Sequence, residues 1–154
     1  MTETTIFQPV LALIIWTWVM WAWMYATRLP AIGKAPTLDA KTWVGGTGRQ
    51  LDDALPPRVQ WVAHNYNHLF EQPVLFYALT LTIAFLGHGH GINTAIAWAY
   101  VGIRIVHSLF QALVNRVVVR FVLFLLGSLC LMSLTVHATY YAFGWHGTPI
   151  VKLG

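Results

Sequence analysis

The chain has 154 residues, enough for one domain, and is 57% hydrophobic, 14% aromatic and only 9% charged. An ordinary soluble domain is roughly 25% charged, so composition argues against a soluble fold and for a membrane protein. The formal net charge of +4 comes without a basic run on a polar segment; this argues against a nucleic-acid partner and makes charge a topology signal.

The N-terminal tail lacks the basic region of a signal peptide. The apolar stretch after it is long and has no small-residue cleavage site, so it reads as a retained anchor. A span needs about 20 apolar residues. The first covers residues 6–26 and stops at Arg28. Trp16, Trp18, Trp21, Trp23 and Tyr25 crowd the half nearest that arginine, as in an interfacial belt. Residues 28–57 form a polar loop rich in Gly and Pro. The second span, residues 59–86, follows Pro56 and Pro57, which suit a helix start. A glycine turn, Gly87 to Gly91, carries His88 and His90, read as surface histidines. The third span covers residues 92–114. The connection around Asn115 and Arg116 is short, so the third and fourth spans (the fourth at 117–143) pair as an antiparallel hairpin. His137 packs within the fourth span or at its outer end. Cys130 stands alone in an apolar run, which excludes an intrachain disulfide and zinc sites built on Cys pairs; it reads as a small buried hydrophobe. The expectation is an all-α integral membrane four-helix bundle, one domain over residues 1–154.

Arg28, Lys34, Lys41, Arg49 and Arg58 lie in or beside the first connection, and Arg116 marks the third. The N-terminal tail and second connection have no Lys or Arg, and the C-terminal tail has Lys152 alone. By the positive-inside rule both termini face away from the cytoplasm.

The second span carries a polar stripe, Gln60, His64, Asn67, His68 and Glu71, at spacings of three and four that place it on one helix face. An ionisable group at membrane depth is costly, so Glu71 needs a partner or a wet cavity. The third span carries Arg104, His107, Gln111 and Asn115 at the same spacings. Glu71 and Arg104 fall at similar depths, and the economical arrangement pairs them. Arg116 and Arg120 lie toward the cytoplasmic side, where a cavity would be cationic and suited to an anion or thiolate. Interhelical glue is the competing reading of such polar residues. His64 and His68, i and i+4 with Glu71 beyond, also have the spacing of a helical metal site. Di-metal bundle sites need several carboxylates, however, and Glu71 is the one within the spans, so no metal is assigned.

The stretch from His64 to Leu79, HNYNHLFEQPVLFYAL, resembles the second-helix signature of the MAPEG family, the membrane-associated proteins of eicosanoid and glutathione metabolism. The stretch from Tyr100 to Phe121 resembles its third-helix signature and the arginines after it. The likeness covers about residues 6–145 and is that of a bacterial-type member, which implies the inner membrane. It implies a homotrimer with glutathione bound between protomers near the cytoplasmic side. It implies transferase, peroxidase or isomerase chemistry on lipophilic electrophiles. By position, Asn67, Glu71 and Arg104 would hold the tripeptide or its supporting network, with His68, His107 and Arg116 in the same pocket. Arg120 would be the catalytic group near the thiol, and Arg28 would lend support from a neighbouring chain. Three positions depart from the family pattern. Ala63 and His64 stand where an Arg is usual, the step from Asn67 to Glu71 is four and not three, and Gln111 replaces a Tyr. Those departures keep open a second reading, a non-catalytic lipid-binding protein or accessory subunit of a larger membrane complex.

Overall fold

Each α-helix leaves four amides and four carbonyls at its ends without helical partners. Where those partners come from shapes this chain. The computed structural model describes residues 5–35, 42, 44, 45 and 47–144. These form α1 (Phe7–Lys34), α2 (Pro57–His68), α3 (Gln72–Phe85), α4 (Ile92–Leu113) and α5 (Val117–Ala142), with a turn of 3-10 helix, Gly48–Leu51, before α2. The tails that bear on orientation, Lys41 and Lys152 lie outside the described residues. Three of the helices, α1, α4 and α5, are long and apolar enough to cross a membrane.

Contacts at the helix ends trace the path. The Ile6 amide donates to the Gly89 carbonyl at 3.0 Å, and the Thr5 and Thr94 hydroxyls meet at 2.9 Å. The start of α1 therefore lies beside the turn between α3 and α4. Arg28 Nη2 reaches Gln60 Oε1 at 3.3 Å, so the far end of α1 meets the start of α2. His137 Nδ1 meets Asn93 Oδ1 at 2.6 Å, which joins the end of α5 to the start of α4. Four rods thus run alternately up and down, the second made of α2 and α3. α4 touches all the others.

The third and fourth spans match expectation within one residue at each end. The first does not: α1 runs past Arg28 and Pro30 to Lys34. A charge ends an apolar stretch but not a helix, because the Arg28 side chain finds its own partners in the Gly48 carbonyl and Gln60. The second span is not continuous either. It breaks at Leu69, Phe70 and Glu71. Pro73 has no amide to donate, and its ring would clash with the carbonyl four residues back, that of Leu69. It sits instead in the first turn of α3, where neither matters. His88 is also more than a surface residue; its ring stacks on Tyr141 at 3.7 Å.

The core has two apolar halves. Ile6, Val10, Leu13, Phe76, Ile83, Ala97, Tyr100, Val101, Leu131, Leu134 and Ala138 fill one, with half-buried Cys130 packed against it. Met20, Met24, Val62, Ala63, Leu69 and Ala112 fill the other. On α4 the buried positions between them are Arg104, His107, Ser108 and Gln111. A polar layer therefore divides the bundle at the depth of the helix break.

Candidate functional site

The last four carbonyls of α2 all have partners. Those of Asn65 and Tyr66 accept from the Leu69 amide at 3.2 and 3.1 Å, and that of Asn67 accepts from the Phe70 amide at 2.9 Å. The His68 carbonyl, which the break leaves without a helical donor, takes Arg104 Nη2 at 2.8 Å. Non-helical backbone at membrane depth persists where such groups are satisfied from within the protein. Arg104 is 1% exposed, yet its Nε and Nη1 meet no protein acceptor.

The expected Glu71–Arg104 pair is absent from the ion pairs of the described residues. Glu71 lies on the exposed side of the break, and its Oε2 meets His68 Nδ1 at 3.3 Å. The cause is the break: three non-helical residues take Glu71 off the face that a continuous helix would share with His64 and His68.

His68 then turns inward. Its ring lies over that of His107 at 5.3 Å with the planes 21° apart, and against Phe124 at 5.6 Å. His68 Nε2 and His107 Nδ1 are buried without a protein partner. Arg120 comes in from the first turn of α5. Its Nη1 donates to Asn115 Oδ1 at 2.7 Å, while its Nε is buried and unpartnered. Asn115 has φ of 56°, a left-handed conformation that a short polar side chain tolerates. The tight turn between α4 and α5 thus also supplies the acceptor that steadies Arg120. His68, His107 and Arg120, with Val117, Phe121 and Phe124, line an open cleft of about 270 Å3. A guanidinium and two imidazoles between aromatic walls can hold an anion and accept or return a proton.

Other expected residues lie elsewhere in the protomer. Asn67 and Arg116 are exposed. Arg28 bonds the Gly48 carbonyl and Gln60, whose Nε2 donates to the Leu51 carbonyl, tying the loop to α1. His64 turns to Asp52 at 3.0 Å. The two i, i+4 histidines therefore serve different carboxylates, and no three metal-ligating side chains come together among the described residues.

Two features escaped the sequence reading. Asn65 and Ser108, both fully buried, exchange hydrogen bonds of 2.8 and 3.0 Å. Ser108, four residues after Arg104, carried the helical signal; Asn65 lies off the stripe and carried none. The aromatic walls Phe121 and Phe124 were legible as positions one and four beyond Arg120.

A family model, that of the MAPEG family, matches residues 6–140. The chain belongs to the MAPEG family. No curated protein and no solved structure matches it. The matched part of this MAPEG chain takes in every residue of the cleft and both halves of the core. With three helices of spanning length, membership marks a membrane protein.

Proposed function

We propose that this MAPEG chain is a glutathione-dependent membrane transferase or peroxidase acting on lipophilic electrophiles, with Arg120 holding the thiolate. The observation that supports this most is the cleft lined by His68, His107, Arg120, Phe121 and Phe124, where each of the three polar residues keeps a buried nitrogen without a protein partner. Buried polar atoms without partners are rare and costly, so a ligand that supplies acceptors there is favoured. A neighbouring guanidinium lowers a thiol's pKa and yields the nucleophile. Glutathione's two carboxylates suit arginine forks. On this reading Asn67, Glu71, Arg104 and Arg116 hold the tripeptide or its supports, and Arg28 assists from a neighbouring protomer. Exposure of Asn67 and Glu71 on one protomer fits a site completed by a second copy, as in the homotrimer that the resemblance implies. The cleft faces the cytoplasm and both termini face away from it, as Lys and Arg placement suggests; in a bacterium this is the inner membrane. Adding glutathione to purified protein should raise a thiolate absorbance that Arg120→Ala abolishes. Absence of binding at millimolar glutathione would sink the reading.

One observation favours the second reading, a lipid-binding or accessory protein. A cleft of about 380 Å3 between α1, α2 and α3 is lined by Ile14, Thr17, Trp18, Trp21, Tyr66, Phe70 and Tyr77, with no charged group. An acyl chain would suit it. Co-purification with a stoichiometric partner and no thiol activity would support this reading over the first.

A further inference from the structure

The polar layer holds more than a cation. Glu71 Oε2 meets His68 Nδ1 at 3.3 Å, and the other nitrogen of that ring, Nε2, is buried and unpartnered, on a residue that lines the cleft together with Arg120. A carboxylate beside one imidazole nitrogen favours the proton there and leaves the lone pair to the other. His107 and Phe124 both pack against the ring and restrict its rotation. The charged and titratable groups around His68 are Glu71 at the break, Arg104 and His107 on α4, and Arg120 on α5.

We propose that His68 is the proton acceptor for the thiol, and that Glu71 is its positioning residue. The proposal rests on the glutathione reading above. The thiol S–H bond breaks, an N–H bond forms at His68 Nε2, and the electron pair stays on sulfur opposite Arg120. The thiolate then bonds to an electrophilic carbon of an epoxide or an enone. The C–O bond pair moves to oxygen, or the π pair moves into an enolate. The His68 imidazolium protonates that alkoxide or enolate, which restores neutral His68. Net, the thiol adds across the acceptor. Substrates that must regain a proton, epoxides and enones, are therefore the class this site serves best. Aryl halides, whose leaving anion needs none, draw on half of the device.

The test measures thiolate absorbance and proton release together, with full-length protein and glutathione in weak buffer containing a pH indicator. The wild type should form thiolate while releasing well under one proton per thiolate. His68→Gln should release one, because water then takes the proton while Arg120 still holds the sulfur. Thiolate with one full proton released by the wild type overturns this proposal and leaves the glutathione reading standing. No thiolate at all overturns both. Turnover is the second readout, and Glu71→Gln, at an exposed position, guards against misfolding of the His68 variant. In both variants addition to an epoxide or enone should fall about 100-fold or more, the usual reach of a positioned acid–base. At saturating glutathione, which offsets any loss of binding through Glu71, substitution of an aryl halide should fall much less than that addition. Equal losses on the two substrate types would overturn the assignment.

Discussion

The two ends of α4 use buried polar groups in opposite ways. At its start, Asn93 is 2% exposed and fully used: its Nδ2 donates to the His88 carbonyl at 2.9 Å and its Oδ1 meets His137 Nδ1 at 2.6 Å. The Thr94 hydroxyl and the Ile6 amide both reach the Gly89 carbonyl. Three helices and a turn are stitched there by protein atoms alone. Toward the other end, Arg104, His107 and Gln111 are as deeply buried, yet each keeps a polar atom without a protein partner. The first pattern is that of interhelical glue. The second spends stability on groups that only a ligand or water relieves. Burial of a polar residue in a bundle is therefore a poor guide to function; what its remaining atoms touch is a better one.

The largest expected effect comes from the unpartnered end. Arg120→Ala should cut kcat/KM for thiol transfer by about 100- to 1000-fold, the usual cost of removing one preorganised charge-stabilising donor. The unfolding midpoint in detergent should barely move, since Arg120 gives the fold one bond, to Asn115. A large loss of stability with transferase activity intact would erase the contrast. Asn93→Ala should do the reverse. It strands His137 and the His88 carbonyl, costing about 1–3 kcal/mol in equilibrium unfolding, with thiol chemistry unchanged.

Asn65 and Ser108 sharpen the comparison, because they lie in the polar layer but satisfy each other. Asn65→Ala should destabilise by about 1–2 kcal/mol, whereas the joint change Asn65→Leu with Ser108→Ala should recover most of that, since no unpaired partner is left behind. A double-mutant cycle checks it; additive losses would show that the pair is not a coupled unit.

The fold was legible where punctuation is local. Gly87, Gly91, Asn115 and Arg116 bound α4 and α5 closely, because a glycine turn and a left-handed Asn leave little freedom for the boundary. The break between α2 and α3 was not legible, although Pro73 stood in plain sight. A run of apolar side chains says nothing about main-chain hydrogen bonding, and one missing amide decided the matter. The site followed the same logic. Spacing of three and four on α4, with the short turn to α5, was enough to bring His107 and Arg120 together. The partner of Arg104 was a main-chain carbonyl, which has no signature in a sequence, so Glu71 was given to the wrong partner.

The smallest expected effect makes the most demanding test. His64–Asp52 and His68–Glu71 are both histidine–carboxylate pairs, at 3.0 and 3.3 Å, on the same helix one turn apart. They differ in where the ring stands. His64 has a side chain 48% exposed and joins α2 to the loop, whereas His68 is 18% exposed, stacked, and walls the cleft. An exposed pair is screened by water and is worth about 0–1 kcal/mol. His64→Ala should therefore shift unfolding by no more than that and leave turnover of epoxides and aryl halides alike. If it cost as much activity as loss of His68, the role of His68 would belong to the loop's attachment to α2. The inward turn of His68 at the helix break would then have no chemical consequence.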